Sequence, residues 1–167
     1  MINGDYKEEF LQHINGNTGI IHRVCNIYFN GSPEREDVFQ EILYQLWKSY
    51  PAFKGNSKFS TWMYRIALNT AITHIKKKDR IPRREELNET YHQLPESIGE
   101  DHKEMNMRLL YTAIDTLSPI DKAIILLYLE DYSYEEIALI TGLTKTNTSV
   151  RLVRIKRKLE EQLRNSI

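Results

Sequence analysis

The sequence predicts an all-α protein: two small helical modules joined by an acidic linker. Three observations predict it. Apolar residues recur at intervals of three and four, the helical period, through most of residues 1–80 and 105–167. The segment between them, 81–104, has two prolines, Gly99, many acids and no sustained apolar period. The net charge of zero hides an alternation in blocks. Residues 1–50 carry 4 Lys/Arg against 7 Asp/Glu, 51–84 carry 9 against 1, 85–140 carry 3 against 13, and 141–167 carry 7 against 2. Two basic blocks flanking an acidic one speak of partners rather than of fold.

A chain of 167 residues suffices for one domain or two small ones. No apolar run approaches the length of a membrane span, and the start MINGDYKEEF lacks a signal-peptide pattern, so the expected location is cytoplasmic, without membrane insertion. Cys25 is the only cysteine and reads as a small buried apolar residue. The five histidines are scattered. No zinc spacing, phosphate loop or nucleophile elbow is present, so neither cofactor, metal nor enzymatic activity is expected.

In the first module, residues 5–14 and 18–29 read as two helices joined around Gly16 and Gly19. Phe10, Leu11, Ile14 and then Ile20, Ile21, Val24, Ile27 and Tyr28 supply their apolar stripes. Asn30-Gly31 stops the second. Ser32-Pro33 predicts a third start, with Ser32 as N-cap, and the helix runs to about Tyr50, before Pro51. Its stripe is Val38, Phe39, Ile42, Leu43 and Leu46. Asp37, Glu41, Tyr44 and Lys48 share another face, with Gln40 beside them, which by itself reads as a solvated surface. Pro51 to Phe59 is a loop, and Ser60 or Thr61 is placed to cap the fourth helix.

The stretch Lys54–Arg80 organises the chain. A polar loop (Lys54, Asn56, Ser57, Lys58) leads into an aromatic helix start (Phe59, Trp62). Arg65, Asn69 and Lys76 share one helical face, and Lys76-Lys77-Lys78 ends the run. Singly, the aromatics read as core and the lysines as a solubilising helix end favoured by the helix dipole. Together they resemble a nucleic-acid surface.

In the second module a helix is expected over Met105–Leu117, with Met107, Leu110, Ile114 and Leu117 as its stripe. Ser118-Pro119 starts the next, Pro119–Leu129, whose Ile124, Ile125, Leu126, Leu127 and Leu129 mark the buried centre. Ser133-Tyr134-Glu135-Glu136 is a capping box for a short helix ended by Gly142. Thr144 caps a last helix to about Leu163. A short helix, a glycine turn and a longer basic helix are the parts of a helix-turn-helix. On the last helix Thr148, Leu152, Ile155 and Leu159 form the core face; Asn147, Arg151, Arg154 and Lys158 form a polar, cationic one. Lys145, Thr146, Asn147 and Ser149 lie in the first turn, where a recognition helix meets base edges.

From about Phe10 to Leu163 the chain resembles an extracytoplasmic-function (ECF) sigma factor of the sigma-70 family, the initiation subunit of bacterial RNA polymerase. Four stretches carry the resemblance in family order: EREDVFQEILYQLW (34–47), FSTWMYRIALNTAITHIKK (59–77), LSPIDKAIILLYLEDYSYEEIALITGL (117–143) and SVRLVRIKRKL (149–159). It implies a region-two helical bundle over 1–80, an acidic linker over 81–104 and a region-four helix-turn-helix over 105–167. It also implies roles. Asp37, Gln40, Glu41 and Tyr44 would dock on the clamp helices of the polymerase largest subunit. Lys54, Asn56, Ser57, Lys58 and Phe59 would capture a flipped base of the −10 element, with Trp62, Arg65, Asn69 and Lys76 gripping its upstream end. Thr144, Lys145, Thr146, Asn147, Ser149, Arg151, Arg154 and Lys158 would read the −35 element while the module rests on the flap of the second-largest subunit. An anti-sigma partner is implied too.

The chain departs from the family pattern at three places. Thr146-Asn147-Thr148 stands where Gly-Thr-Val is common, which makes Asn147 a base reader through an amide–adenine contact and requires the Thr148 hydroxyl to bond back to its helix. Arg35 replaces a small residue beside the polymerase face. The loop KGNSK varies freely, so no −10 sequence transfers. The rival readings are a dimeric helix-turn-helix repressor or activator, an enzyme, and a polymerase-binding regulator that does not start transcription.

Overall fold

The expected periodicity is realised as eight α-helices and one short 3-10 turn among the described residues. The computed structural model describes residues 3–80 and 102–166. The chain divides into two compact units, Met1–Asn88 and Glu89–Ile167, each described by itself. The linker expected over 81–104 lies outside the described residues except for its last three, which are helical.

The first unit contains α1 (Asn3–Asn15), α2 (Thr18–Phe29), α3 (Arg35–Ser49), a 3-10 turn (Tyr50–Ala52) and α4 (Phe59–Arg80). α2, α3 and α4 pack on one another. Ile21, Val24, Cys25, Val38, Ile42, Leu46, Met63, Ala67 and Ala71 are wholly buried between them. Nearly all come from the apolar stripes of their helices, so periodicity largely assembles this core. Cys25 is buried as expected, and burial pushes its thiol pKa up. Tyr64 is core, whereas Leu11 lies 44% exposed outside it.

Two boundaries differ from expectation. Ser32 does not cap α3. The Arg35 N–H donates to the Ser32 carbonyl at 3.2 Å and the Ser32 hydroxyl accepts from Glu34 N at 3.2 Å, so Ser32-Pro33 is spent in a preceding turn. The helical ladder starts with Val38 N to Glu34 O at 3.0 Å. Ser60 and Thr61 sit inside the first turn of α4 rather than at its cap, because Trp62 N already bonds to Lys58 O at 3.2 Å, and Thr61 is buried. α2 has its expected range, Thr18–Phe29, which contains Gly19, so the connection from α1 is made by Gly16 and Asn17, whose side-chain amide donates to His13 O at 2.8 Å.

The second unit contains α5 (His102–Asp115), α6 (Pro119–Leu129), α7 (Tyr134–Thr141) and α8 (Lys145–Asn165). α8 packs on α5, α6 and α7, and α6 on α7. Ile114, Ile124, Leu127, Ile137, Leu152 and Ile155 fill the centre. α5 starts three residues before Met105 and ends two before Leu117, which is buried in the following turn. Met107 and Leu129, read as core, are 48% and 52% exposed; each stands at the outer edge of its stripe.

The expected caps of this unit form. Ser118 Oγ accepts from Asp121 N at 3.3 Å. Ser133 and Glu136 close a reciprocal box, with Oγ accepting from Glu136 N at 3.2 Å and Oε2 accepting from Ser133 N at 2.9 Å. Gly142 ends α7 at φ +76°, a left-handed conformation that favours glycine. Thr144 Oγ1 accepts from Asn147 N at 3.1 Å. Thr148 is wholly buried, and its hydroxyl donates to Thr144 O at 2.9 Å, the back-bond its position required.

Candidate functional site

On α3, burial of Val38, Ile42 and Leu46 turns the opposite face outward. Asp37, Gln40 and Glu41 are exposed there, with Tyr44 55% exposed. The structure therefore brings the four residues onto one open surface, two of them carboxylates. Gln45 Nε2 steadies Glu41 by donating to Oε1 at 2.9 Å.

The C-terminal end of α3 runs into a cluster of aromatic rings that carries the loop. Tyr50, 5% exposed, is its centre. The Phe10 ring meets it edge-on at 5.1 Å, and Trp62 meets it at 6.2 Å. Phe53 contacts Trp62 at 5.0 Å and Phe59 edge-on at 5.6 Å; His13 stacks on Phe59 at 4.7 Å. Aromatic pairs at such separations contribute roughly 0.5–1.5 kcal/mol each beyond area burial. Both ends of the loop are thus pinned by rings. Between them Gly55 adopts φ +74°. Lys54, Asn56 and Lys58 are exposed, while Ser57 is half-buried. Phe59 and Trp62 are half-buried as members of the cluster.

The contribution of α1 to this cluster was not among the expectations. Tyr6, Phe10 and His13 stand at i, i+4 and i+7, and that aromatic stripe was the available signal. Burial, and then the neighbouring Glu9 to which its hydroxyl bonds, raise the Tyr50 pKa.

Along α4, Arg65, Asn69 and Lys76 are exposed on the expected face, and Lys77 is exposed too. Lys78 is not a free cation: its Nζ lies 2.8 Å from Glu34 Oε1, and His74 Nε2 lies 3.0 Å from Glu34 Oε2. The Lys78 hydrogen bond, aided by His74 and opposed by partial burial, holds the Glu34 carboxyl below its ordinary value of 4.5. Since the folded state then prefers the ionised form, the bridge stabilises above the ordinary carboxylate pKa and fades as pH falls through the lowered one. In urea titrations followed by tryptophan emission, which reports the first unit because Trp47 and Trp62 both lie there, wild type should exceed Glu34→Gln by about 0.5–1 kcal/mol at neutral pH. That gap should close as pH falls below the ordinary carboxylate range and through the lowered pKa of Glu34; a gap unchanged across the range would contradict this account.

In the second unit the −35 candidates separate into two sets. Lys145, Thr146, Asn147 and Arg154 are exposed, and Ser149 is half-buried. Thr144 is committed to its cap. Arg151 Nη1 lies 3.0 Å from Asp121 Oδ1 on α6, and Lys158 Nζ donates to Thr116 O at 3.2 Å. These two cations tie α8 to the start of α6 and to the turn that follows α5. Lys145 pairs with Glu135 across the helix-turn-helix, and its hydrogen bond lowers the Glu135 pKa. Lys156 Nζ sits 4.2 Å above the Tyr128 ring, and its pKa is raised chiefly by a hydrogen bond to that side chain.

No helix among the described residues is long and apolar enough to cross a membrane. A family model for Sigma-70 region 2 matches residues 14–81, and one for Sigma-70, region 4 matches residues 107–159. The chain is 36% identical over 77 residues to the ECF RNA polymerase sigma factor SigG of Mycobacterium tuberculosis; the match covers 46% of this chain and 18% of that protein, less than a fifth of its length. It is 31% identical over 138 residues to the ECF RNA polymerase sigma-E factor of Haemophilus influenzae, covering 76% of this chain and 73% of the relative. In fold it is similar to the sigma factor RpoE of Bartonella quintana, solved in complex with the anti-sigma factor NepR, at a TM-score of 0.72 and 22% identity over 96% of this chain and 97% of the other. The chain belongs to the ECF group of the sigma-70 family of RNA polymerase sigma factors.

Proposed function

We propose that the chain directs bacterial core RNA polymerase to its promoters and starts transcription there, without being an enzyme. The observation that carries this reading is the arrangement on the first unit. An open acidic face on α3 runs into the ring cluster that holds a cationic, glycine-containing loop, and α4 continues from that loop with Arg65, Asn69 and Lys76 exposed. Asp37, Gln40, Glu41 and Tyr44 dock on the clamp helices of the largest subunit. The loop takes an unstacked base of the −10 element, and holding that base offsets the cost of opening its pair, so no ATP is needed. The α4 cations follow the adjoining phosphates.

In the second unit, Thr146, Asn147 and Arg154 face the −35 major groove, with Lys145 beside them in an exposed pair with Glu135 that it gives up on binding, and with the module on the flap of the second-largest subunit. Arg151 and Lys158 act there mainly by holding α8 in place, since both are engaged within the unit. The place of action is the cytoplasm, and an anti-sigma factor, as in the RpoE–NepR complex, is the expected regulator.

Run-off transcription with purified core on promoters of the chain's own operon tests the reading; absence of any transcript despite intact core binding would favour a polymerase-binding regulator. Tight, specific binding of promoter duplex by the chain alone would favour an independent helix-turn-helix regulator. Asn147→Ala should weaken use of the matching −35 sequence by about tenfold, the loss of one bidentate amide–adenine contact, and flatten preference at that base pair while core affinity stays unchanged. An unaltered −35 preference would remove Asn147 from the reading set.

A further inference from the structure

The head of α8 carries a cation that helix stability does not call for. Lys145 is the first residue of α8, directly after its Thr144 cap, and a positive charge there opposes the helix dipole. Glu135 lies in the first turn of α7, the end that favours an anion. The turn through Gly142 sets the two helix starts within reach, and Lys145 Nζ pairs with Glu135 Oε1 across it. The Lys145 hydrogen bond holds the Glu135 carboxyl below its ordinary value, so a full anion sits against the head of α8 at neutral pH. The reciprocal cap of α7 is made by Ser133 and Glu136 and does not include Glu135. The tie between Arg151 and Asp121 is of another kind. Those side chains are 35% and 24% exposed and fasten α8 to α6, whereas Lys145 and Glu135 are 62% and 63% exposed. So exposed a pair adds little stability and opens readily. Beside it Thr146 and Asn147 are exposed in the same turn of α8.

We infer that Glu135 is an intramolecular competitor of DNA: its carboxylate occupies the Lys145 ammonium in the free unit, and a backbone phosphate of the −35 element must displace it when α8 seats in the groove. Lys145 carries one charge, and two anions contend for it. The pair therefore sets a threshold on duplex binding. Phosphates are alike in every sequence, so they displace Glu135 most fully where base contacts from Asn147 and its neighbours hold α8 in the groove. Duplex without a matching element offers phosphates alone and meets a closed pair. The inference rests on the reading of α8 as the −35 helix, and adds to it a restraint by an acid outside that helix.

The test titrates holoenzyme, assembled from core polymerase and the full chain, with labelled promoter duplex whose −35 element is intact or scrambled. Glu135→Gln should tighten binding of the intact duplex by roughly two- to fivefold, the range an exposed ion pair can withhold. The gain should shrink as salt is raised, because the pair is screened. Lys145→Ala should weaken binding, and Glu135→Gln added to Lys145→Ala should bring no further change. Glu160→Gln removes an equally exposed acid, one that pairs with Arg164 within α8, and should leave affinity at the wild-type value. Far-UV circular dichroism melts with the wild-type midpoint check that each variant is folded. Unchanged affinity of Glu135→Gln, on holoenzyme that distinguishes the intact from the scrambled duplex, overturns the inference alone. A gain that persists beside Lys145→Ala, or that Glu160→Gln reproduces, makes the effect one of net charge and overturns it too. Wild-type holoenzyme that binds both duplexes alike would instead overturn the reading of α8, and this inference with it.

Discussion

Replacing Asp37 by arginine should weaken binding to core polymerase by about 3 kcal/mol, roughly a hundredfold in Kd, by putting a cation where the proposed docking face carries a carboxylate. The variant should fold normally, because Asp37 is exposed on α3 and the core residues Val38 and Ile42 are untouched. Fluorescence titration of labelled chain with core polymerase measures the loss. The effect should shrink as salt is raised, since an exposed charge is screened over about 8 Å at physiological ionic strength. Unchanged affinity would show that this face of α3 is solvated surface and nothing more. Of the two cations that the sequence sets on or beside this face, Lys48 and Arg35, the second is turned aside from it: its Nη2 donates to Asn26 Oδ1 at 2.8 Å on α2.

Leu127→Ala should cost the second unit about 2–5 kcal/mol, the usual range for emptying a leucine site that cannot collapse. Leu127 is wholly buried on α6, the helix that α7 and α8 pack against. A unit of this size has a total stability of roughly 3–10 kcal/mol, so the loss takes much of it. Far-UV circular dichroism should register an early melting of the second unit's helices, and tryptophan emission, confined to the first unit, should keep its wild-type midpoint. Core binding through α3 should persist while −35 dependence disappears. A single coincident transition, lowered for both probes, would contradict independent folding of the units.

The fold was legible in the sequence wherever one residue's neighbours along a helix decide its state. Val38, Ile42 and Leu46 announce their burial by spacing, and Ser133 with Glu136 announces a cap by chemistry. Legibility fell where a second element competes. Ser32-Pro33 has the composition of a helix start, yet a turn consumed it. Leu129 and Met107 belong to apolar stripes but lie exposed at the edges of those stripes. The candidate sites divide in the same way. Asp37, Gln40, Glu41 and Tyr44 share a face by periodicity, so the structure had only to repeat them. That Arg151 would be held by Asp121, thirty residues away, or Lys78 by Glu34, depends on packing between helices and leaves no mark in local sequence. The aromatic stripe of α1 was visible, but its partner, the ring cluster around Tyr50 and the loop, was not.

The Glu34 bridge and the ring cluster grip opposite ends of the antiparallel pair α3 and α4. One fastening is ionic and the other apolar, so they respond to different conditions. Salt loosens the first by screening and leaves the second intact. Cooling weakens the apolar fastening before the ionic one. Raising the ionic strength therefore relaxes the end of the pair that carries Glu34, and cooling relaxes the end that carries the loop.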